Sequence, residues 1–192
     1  MNFDSDSKFK KKNLTHGVKG IMPGDVLLIR TIKDNPFMAL IGWLIRKITR
    51  GWTTHAAIYL GGGGNYIVEA LLDGVKKTKL KKYLNNKTQF LVYRNRRLNT
   101  FKLTILKDFL YSAIGKPYDL DGIKDFIFDD RKNDANKFFC SELEVIGYQL
   151  IGIKSSNKPA RKSSPADLRR FYDSPKGKKE GWILWDTFNI EV

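Results

Sequence analysis

One cysteine, Cys140, and two histidines, His16 and His55, are the only thiol and imidazole groups in 192 residues. A single thiol excludes an intramolecular disulfide framework and any multi-cysteine zinc site, and two histidines are too few for a histidine-rich metal cage. No metal or cofactor is therefore expected, and the cysteine usage fits a reducing compartment. Long apolar runs are missing too. The longest, Phe37 to Ile45, is about half of the roughly 20 residues a membrane-spanning helix needs. The first residues, MNFDSDSKFKKK, carry charges where a secretory signal needs an apolar stretch of about 7–15 residues, so a cytoplasmic setting is expected. Acidic residues are scarce, 20 against 35 Lys and Arg, which leaves a net charge of +15. Such a balance predicts attraction to an anionic partner: nucleic acid, an anionic polymer such as teichoic acid, a membrane surface or an acidic substrate. No zinc-finger spacing and no aromatic-interleaved basic module is present, which argues against specific nucleic-acid binding.

What is present is enough apolar material to fold, 42% of residues with 12% aromatic, because that much burial offsets the backbone entropy that keeps polar chains disordered. A polar, basic arm over residues 1–20 precedes one domain, 21–192. Pro23-Gly24-Asp25 signals a turn before a strand at Val26 to Ile29. Asn35 to Arg50 has helical spacing, with cations in its last turn; a core-facing helix and a membrane-skimming one share that pattern. Thr54 to Leu60 and Tyr66 to Leu71 read as a hairpin around Gly61 to Gly64. The glycines lack the Lys-Ser/Thr and following helix of a phosphate loop. A strand at Gln89 to Arg94, a helix at Leu103 to Ile114, a helix from Lys137 or Phe138 through Leu150, a loop at Ser155 to Pro165 and a strand at Gly181 to Asp186 complete an α+β pattern.

Chemistry concentrates on three residues. Cys140 falls in the first turn of its helix, where unpaired amides and the positive end of the dipole favour a thiolate and offer donors to an oxyanion. Taken alone, a cysteine beside Phe138 and Phe139 reads as an ordinary buried thiol. His55 lies on a strand of small and apolar residues, the setting of either a base or a satisfied core histidine. Glu69 interrupts an apolar strand, and buried carboxylates are rare unless paired; a solvated edge position is its alternative. A three-residue hairpin loop, Gly61 to Gly63, sets His55 directly opposite Glu69 with Cβ atoms about 4.5–5.5 Å apart. A four-residue loop shifts the register by one and separates them onto opposite faces, absent a bulge.

The chain resembles the circularly permuted NlpC/P60 proteins, the YiiX-like branch of the papain-like cysteine hydrolases. The resemblance rests on Pro23-Gly24-Asp25-Val26-Leu27, on Trp52 to Tyr59 with Glu69 downstream, on Gly115-Lys116-Pro117-Tyr118-Asp119, and on Phe138-Phe139-Cys140-Ser141-Glu142-Leu143. These stretches keep the family's order, and a later one, Ser164 to Leu168, looks structural. The resemblance implies a papain-like fold, permuted so that the histidine strand precedes the cysteine helix, with an antiparallel sheet or barrel-like β core packed with helices. It implies Cys140 as nucleophile, His55 as general base and Glu69 as the orienting residue. It also implies a substrate-binding or oxyanion role for Tyr118, for which a packed turn tyrosine is the alternative. Glu144, where an apolar residue is expected, and the lysines of the 76–82 stretch depart from the family pattern. The expected reaction is acyl transfer on an amide- or ester-containing substrate, such as a cell-wall peptide, carried on an anionic polymer or membrane surface. Lipid acyl transfer on the same triad, and a non-enzymatic polyanion-binding module, are the competing expectations.

Overall fold

The computed structural model describes residues 10–11, 20–31, 53–83, 88–119 and 137–189. Most of the expected arm, the helix expected at 35–50 and Trp52 lie outside them. Seven strands form one sheet: β1 Lys10–Lys11, β2 Val26–Thr31, β3 His55–Gly61, β4 Tyr66–Leu71, β5 Gly74–Lys79, β6 Thr88–Asn95 and β7 Trp182–Asn189. The order across it is β1-β7-β6-β2-β3-β4-β5. Six strands run antiparallel and the two-residue β1 adds in parallel to β7. The β core is thus an open sheet, and the barrel-like alternative does not hold.

Among the described residues, four α-helices accompany it: α1 Thr100–Ala113, α2 Cys140–Leu150, α3 Pro165–Asp173 and α4 Pro175–Lys179. Three of them begin on a side-chain cap, from Asn99, Ser164 and Ser174. Asn99 caps α1 by accepting the Lys102 N–H. Ser164 and Asp167 close a reciprocal capping box on α3, with Pro165 in the first turn, where its missing N–H costs nothing. α1 and α2 meet closely at Gly147, whose absent side chain leaves room for Leu106 and Phe109.

Strand alternation divides the core into two layers. Val26, Leu28, Ala56, Ile58, Val68 and Tyr93 face the helices, together with Leu106, Leu143, Tyr148 and Trp182. Leu27, Ile29, Ala57, Tyr59, Ile67 and Phe90 face the other way, under Ile21 and Leu80. The residues just after β5 add Leu80 to this second layer, with Tyr83 packed against it. Both belong to a 3₁₀ turn at Leu80–Tyr83. It is pinned where the Leu80 N–H donates to the Asn65 carbonyl at 2.8 Å.

The hairpin between β3 and β4 differs in register from the expected one. Its loop has four residues, Gly62 to Asn65, with Gly61 opposite Tyr66, and Leu60 is an extra residue that bulges between Tyr59 and Gly61. The placement of the loop and the bulge together move the pairing by two residues, an even number, so each side chain keeps its expected face. Ala57, not His55, lies opposite Glu69. His55 is its diagonal neighbour on the same face, two residues along.

The Pro23-Gly24-Asp25 motif is structural. Gly24 has φ +90° and a Cβ there would sit 2.2 Å from Leu98, so the turn needs glycine. Its carbonyl accepts from Tyr148 on α2. Asp25, 2% exposed, receives both arms of Arg94 at 2.8 and 2.7 Å, and Arg94 stacks 3.9 Å over Trp185.

Candidate active site

Cys140 is the first residue of α2, and Phe139 before it provides no side-chain cap. The opening amides of the helix are therefore left to other acceptors. The thiol belongs to the helix-side layer, whereas His55 and Glu69 follow the alternation of the opposite layer. They meet at the start of β3, where the thiol lies within interaction range of the imidazole and of the backbone N–H groups of Ala56 and Ser141. His55 Nε2 is 2.7 Å from Glu69 Oε2, which leaves Nδ1 as the nitrogen toward the thiol. The imidazole is 16% exposed and the carboxylate 0%, so the ring is reachable from outside while its partner is sealed behind it.

The charges reinforce one another. Burial alone would pull His55 down, but its hydrogen bonds and charge interactions with Cys140 and Glu69 outweigh that and raise it to about 10. Burial pushes the Cys140 thiol up, yet the His55 hydrogen bond and charge, with the two backbone amides, bring it below its ordinary range. Burial also pushes Glu69 up, and the contacts to His55, Tyr83 and Thr78 more than reverse it. The arrangement favours a thiolate, an imidazolium and a carboxylate in a row, the charge distribution of an activated nucleophile.

Tyr118 comes beside this row through a parallel bridge to Phe138, in which Phe138 N–H donates to the Pro117 carbonyl and Asp119 N–H to the Phe138 carbonyl, both at 3.2 Å. Its phenol is pushed well up, first by burial and then by charge at Cys140 and Asp119. At neutral pH it is a hydroxyl donor close to the thiol. The four candidate residues are thus brought together.

Sequence reasoning missed two neighbours. Tyr83 donates to Glu69 Oε2 at 2.5 Å, and Thr78 on β5 lies by the same carboxylate. Thr78 sits within the lysine-rich 76–82 stretch and Tyr83 directly after it. The available signal was Leu80 and Tyr83, apolar and aromatic three residues apart among lysines. Glu144, expected to be apolar, is buried on α2 and accepts from Tyr172. Burial raises it to about 8 against the weaker pull of Tyr172 and Ser155, so it behaves as a neutral acid of the core. Among the described residues, no group of three or more His, Cys, Asp and Glu could hold a metal ion, and no helix is long and apolar enough to cross a membrane.

An antiparallel sheet backed by helices, with the histidine strand ahead of the cysteine helix in the chain, defines the class: a papain-like fold in permuted order. The chain belongs to the permuted papain-like amidase family, YaeF/YiiX, C92, whose family profile matches residues 21–164. No curated protein matches the chain at a significant level. Membership places it with cysteine amidase- and peptidase-type enzymes.

Proposed function

We propose that the protein is a cysteine-dependent amidase working by acyl transfer through Cys140, His55 and Glu69. The observation that carries this reading is the contact row Cys140–His55–Glu69, whose members shift one another toward the charged forms. The Cys140 thiolate attacks the amide carbonyl carbon, forming a C–S bond while the carbonyl electrons move to oxygen. Amides at the start of α2, with the Tyr118 hydroxyl, stabilise that oxyanion. As the tetrahedral intermediate collapses, the C–N bond breaks and the His55 imidazolium gives its proton to the departing amine. Neutral His55 then takes a proton from water, which attacks the thioester; its C–S bond breaks, releasing a carboxylic acid and restoring the thiolate–imidazolium pair. Glu69 stays ionised throughout and holds the ring by Nε2.

The family description supports an amide as the acyl donor, and the net charge of +15 supports an anionic carrier, such as a cell-wall polymer or a membrane surface, as its setting. The test is acyl-enzyme trapping with panels of peptide amides and lipid esters, read by intact mass. A mass gain on the protein with amides, absent from Cys140→Ala, is expected. Gain with lipid esters alone would make the protein a lipid acyltransferase. No adduct from either panel, with Cys140 alkylating like a free thiol, would overturn the reading in favour of a binding module.

A further inference from the structure

Tyr83 makes contacts that packing alone does not call for. Its hydroxyl donates to Glu69 Oε2 at 2.5 Å, the oxygen that also faces His55 Nε2 at 2.7 Å. Its ring lies alongside the imidazole, centroids 6.3 Å apart and planes 23° off parallel. An edge-on contact with Phe90 at 6.5 Å and 87° holds the phenol from its far side. The 3₁₀ turn carrying it is anchored at its other end, where Leu80 is buried and bonded to Asn65. Asn65 is itself fixed by Tyr59, which donates to its side chain at 2.6 Å. A tyrosine held at both ends of its turn, bonded to the carboxylate and stacked on the imidazole, constrains two of the three residues in the row.

We propose that Tyr83 is a positioning residue for the Glu69–His55 pair, fixing the plane of the imidazole with its ring and setting, through its hydroxyl on Glu69, the pH range in which Cys140 is a thiolate. This rests on the reading of Cys140 as nucleophile. A donor aimed at a buried carboxylate puts positive potential into the site, which lowers the proton affinity of every group coupled to it. Those groups are Glu69 itself, His55 on β3 and Cys140 on α2, with Tyr118 beyond the thiol. Other groups near the carboxylate are Thr78, and Lys76 across the β4–β5 pairing, which is ion-paired with Asp73. Removing the Tyr83 hydroxyl therefore moves the whole profile toward alkaline pH. The acid limb weakens because protons return to the row sooner, and the alkaline limb extends because the imidazolium persists longer.

The experiment measures the rate of Cys140 alkylation by iodoacetamide against pH in wild type, Tyr83→Phe, Tyr83→Ala and His55→Ala, with a thermal melt of each. In Tyr83→Phe the melt should stay near wild type, and both limbs should shift to higher pH. On the acid limb the rate should fall by about tenfold, the size expected for one hydrogen bond to a charged acceptor. Tyr83→Ala should add a loss at all pH values, because the ring no longer holds the imidazole plane. A Tyr83→Phe profile that overlays wild type, or a uniform loss with no shift, would overturn the proposal while leaving the nucleophile reading intact. A wild-type profile with an ordinary thiol inflection, unchanged in His55→Ala, would overturn both.

Discussion

Glu69 and Glu144 are equally hidden, at 0% and 1% exposure, yet one is ionised and the other neutral. Glu69 is held ionised, below its usual range, because a cation touches it: His55 through Nε2, with Tyr83 sharing the oxygen. Glu144 is held neutral, raised to about 8, because burial is opposed only by the uncharged Tyr172 and Ser155. Tyr172 donates to Oε1, while Oε2 and the Ser155 hydroxyl make no hydrogen bond of ordinary geometry. Desolvation is common to both, so it does not decide the protonation state. The partner does. One carboxyl became part of a charge row and the other became a core-filling acid.

The sharpest way to break that comparison is to take the charge from Glu69. Glu69→Gln keeps an acceptor for Nε2 but cannot stabilise the imidazolium, so turnover should fall by on the order of 10³-fold or more, with the fold preserved in circular dichroism. Full turnover in a folded variant would remove Glu69 from the triad.

The counterpart change, Glu144→Gln, should leave turnover alone and alter the pH dependence of stability. The folded state holds the Glu144 proton up to about 8 whereas the unfolded chain loses it near 4.5. Between those values the folded state binds more protons, so stability falls as pH rises through the window and is level above it. The glutamine variant should lack that fall and exceed wild type at pH 9 by a margin of order a few kcal/mol. Urea midpoints at pH 5 and pH 9 read it, and parallel curves would show that Glu144 is ionised after all.

A smaller effect is expected from Tyr172→Phe. It strands Glu144 Oε1 while keeping the ring stacked 4.1 Å from Trp182, at a cost of about 1–3 kcal/mol. Because the lost donor favoured the charged form, the fall in stability should extend to higher pH. A midpoint equal to wild type at both pH values would mean that the contact carries no weight.

Charges standing in water should matter least. Replacing Lys79, Lys81 and Lys82 with glutamine should weaken association with an anionic polymer at low salt. The difference should fade as the screening length shortens to about 8 Å. Single-turnover acylation of Cys140 at saturating substrate should stay within about twofold, since screened surface charges act on encounter more than on bond chemistry. A collapse of that rate in a folded variant would place lysines in the site.

Local patterns made much of this readable in advance. Tyr66–Leu71 was legible to the residue from its apolar run, and Cys140 at a helix start from the apolar spacing after it. The relation of His55 to Glu69 was legible only in part. Both share a face, as a directly opposed pair would, but through a four-residue loop and a bulge at Leu60 that together move the register by two residues; a glycine run does not say where a bulge will fall. β5 was not legible, because Lys76, Lys77 and Lys79 look like solvated surface when they are the charges that protect an edge strand. Tyr83 and Tyr172 reach their glutamates across 14 and 28 residues. Nothing in local sequence announces such a contact, although Glu144 stood out as polar where the helix face was apolar.

The permuted order has a consequence for the making of the protein. His55 and Glu69 are synthesised first, as parts of one short hairpin, and Cys140 follows some 85 residues behind His55. The last of the described strands, Trp182–Asn189, then lies beside β6, with Trp182 stacked on Tyr172 beneath the cysteine helix. On the proposed mechanism, a nascent chain that has not reached Cys140 holds the His55–Glu69 pair with no thiol to activate, and the thiol is confined only once β7 has emerged as well. Sites assembled from such distant segments pay loop closure before any contact rewards it, which delays the hazard of a loose thiolate until the fold that confines it exists.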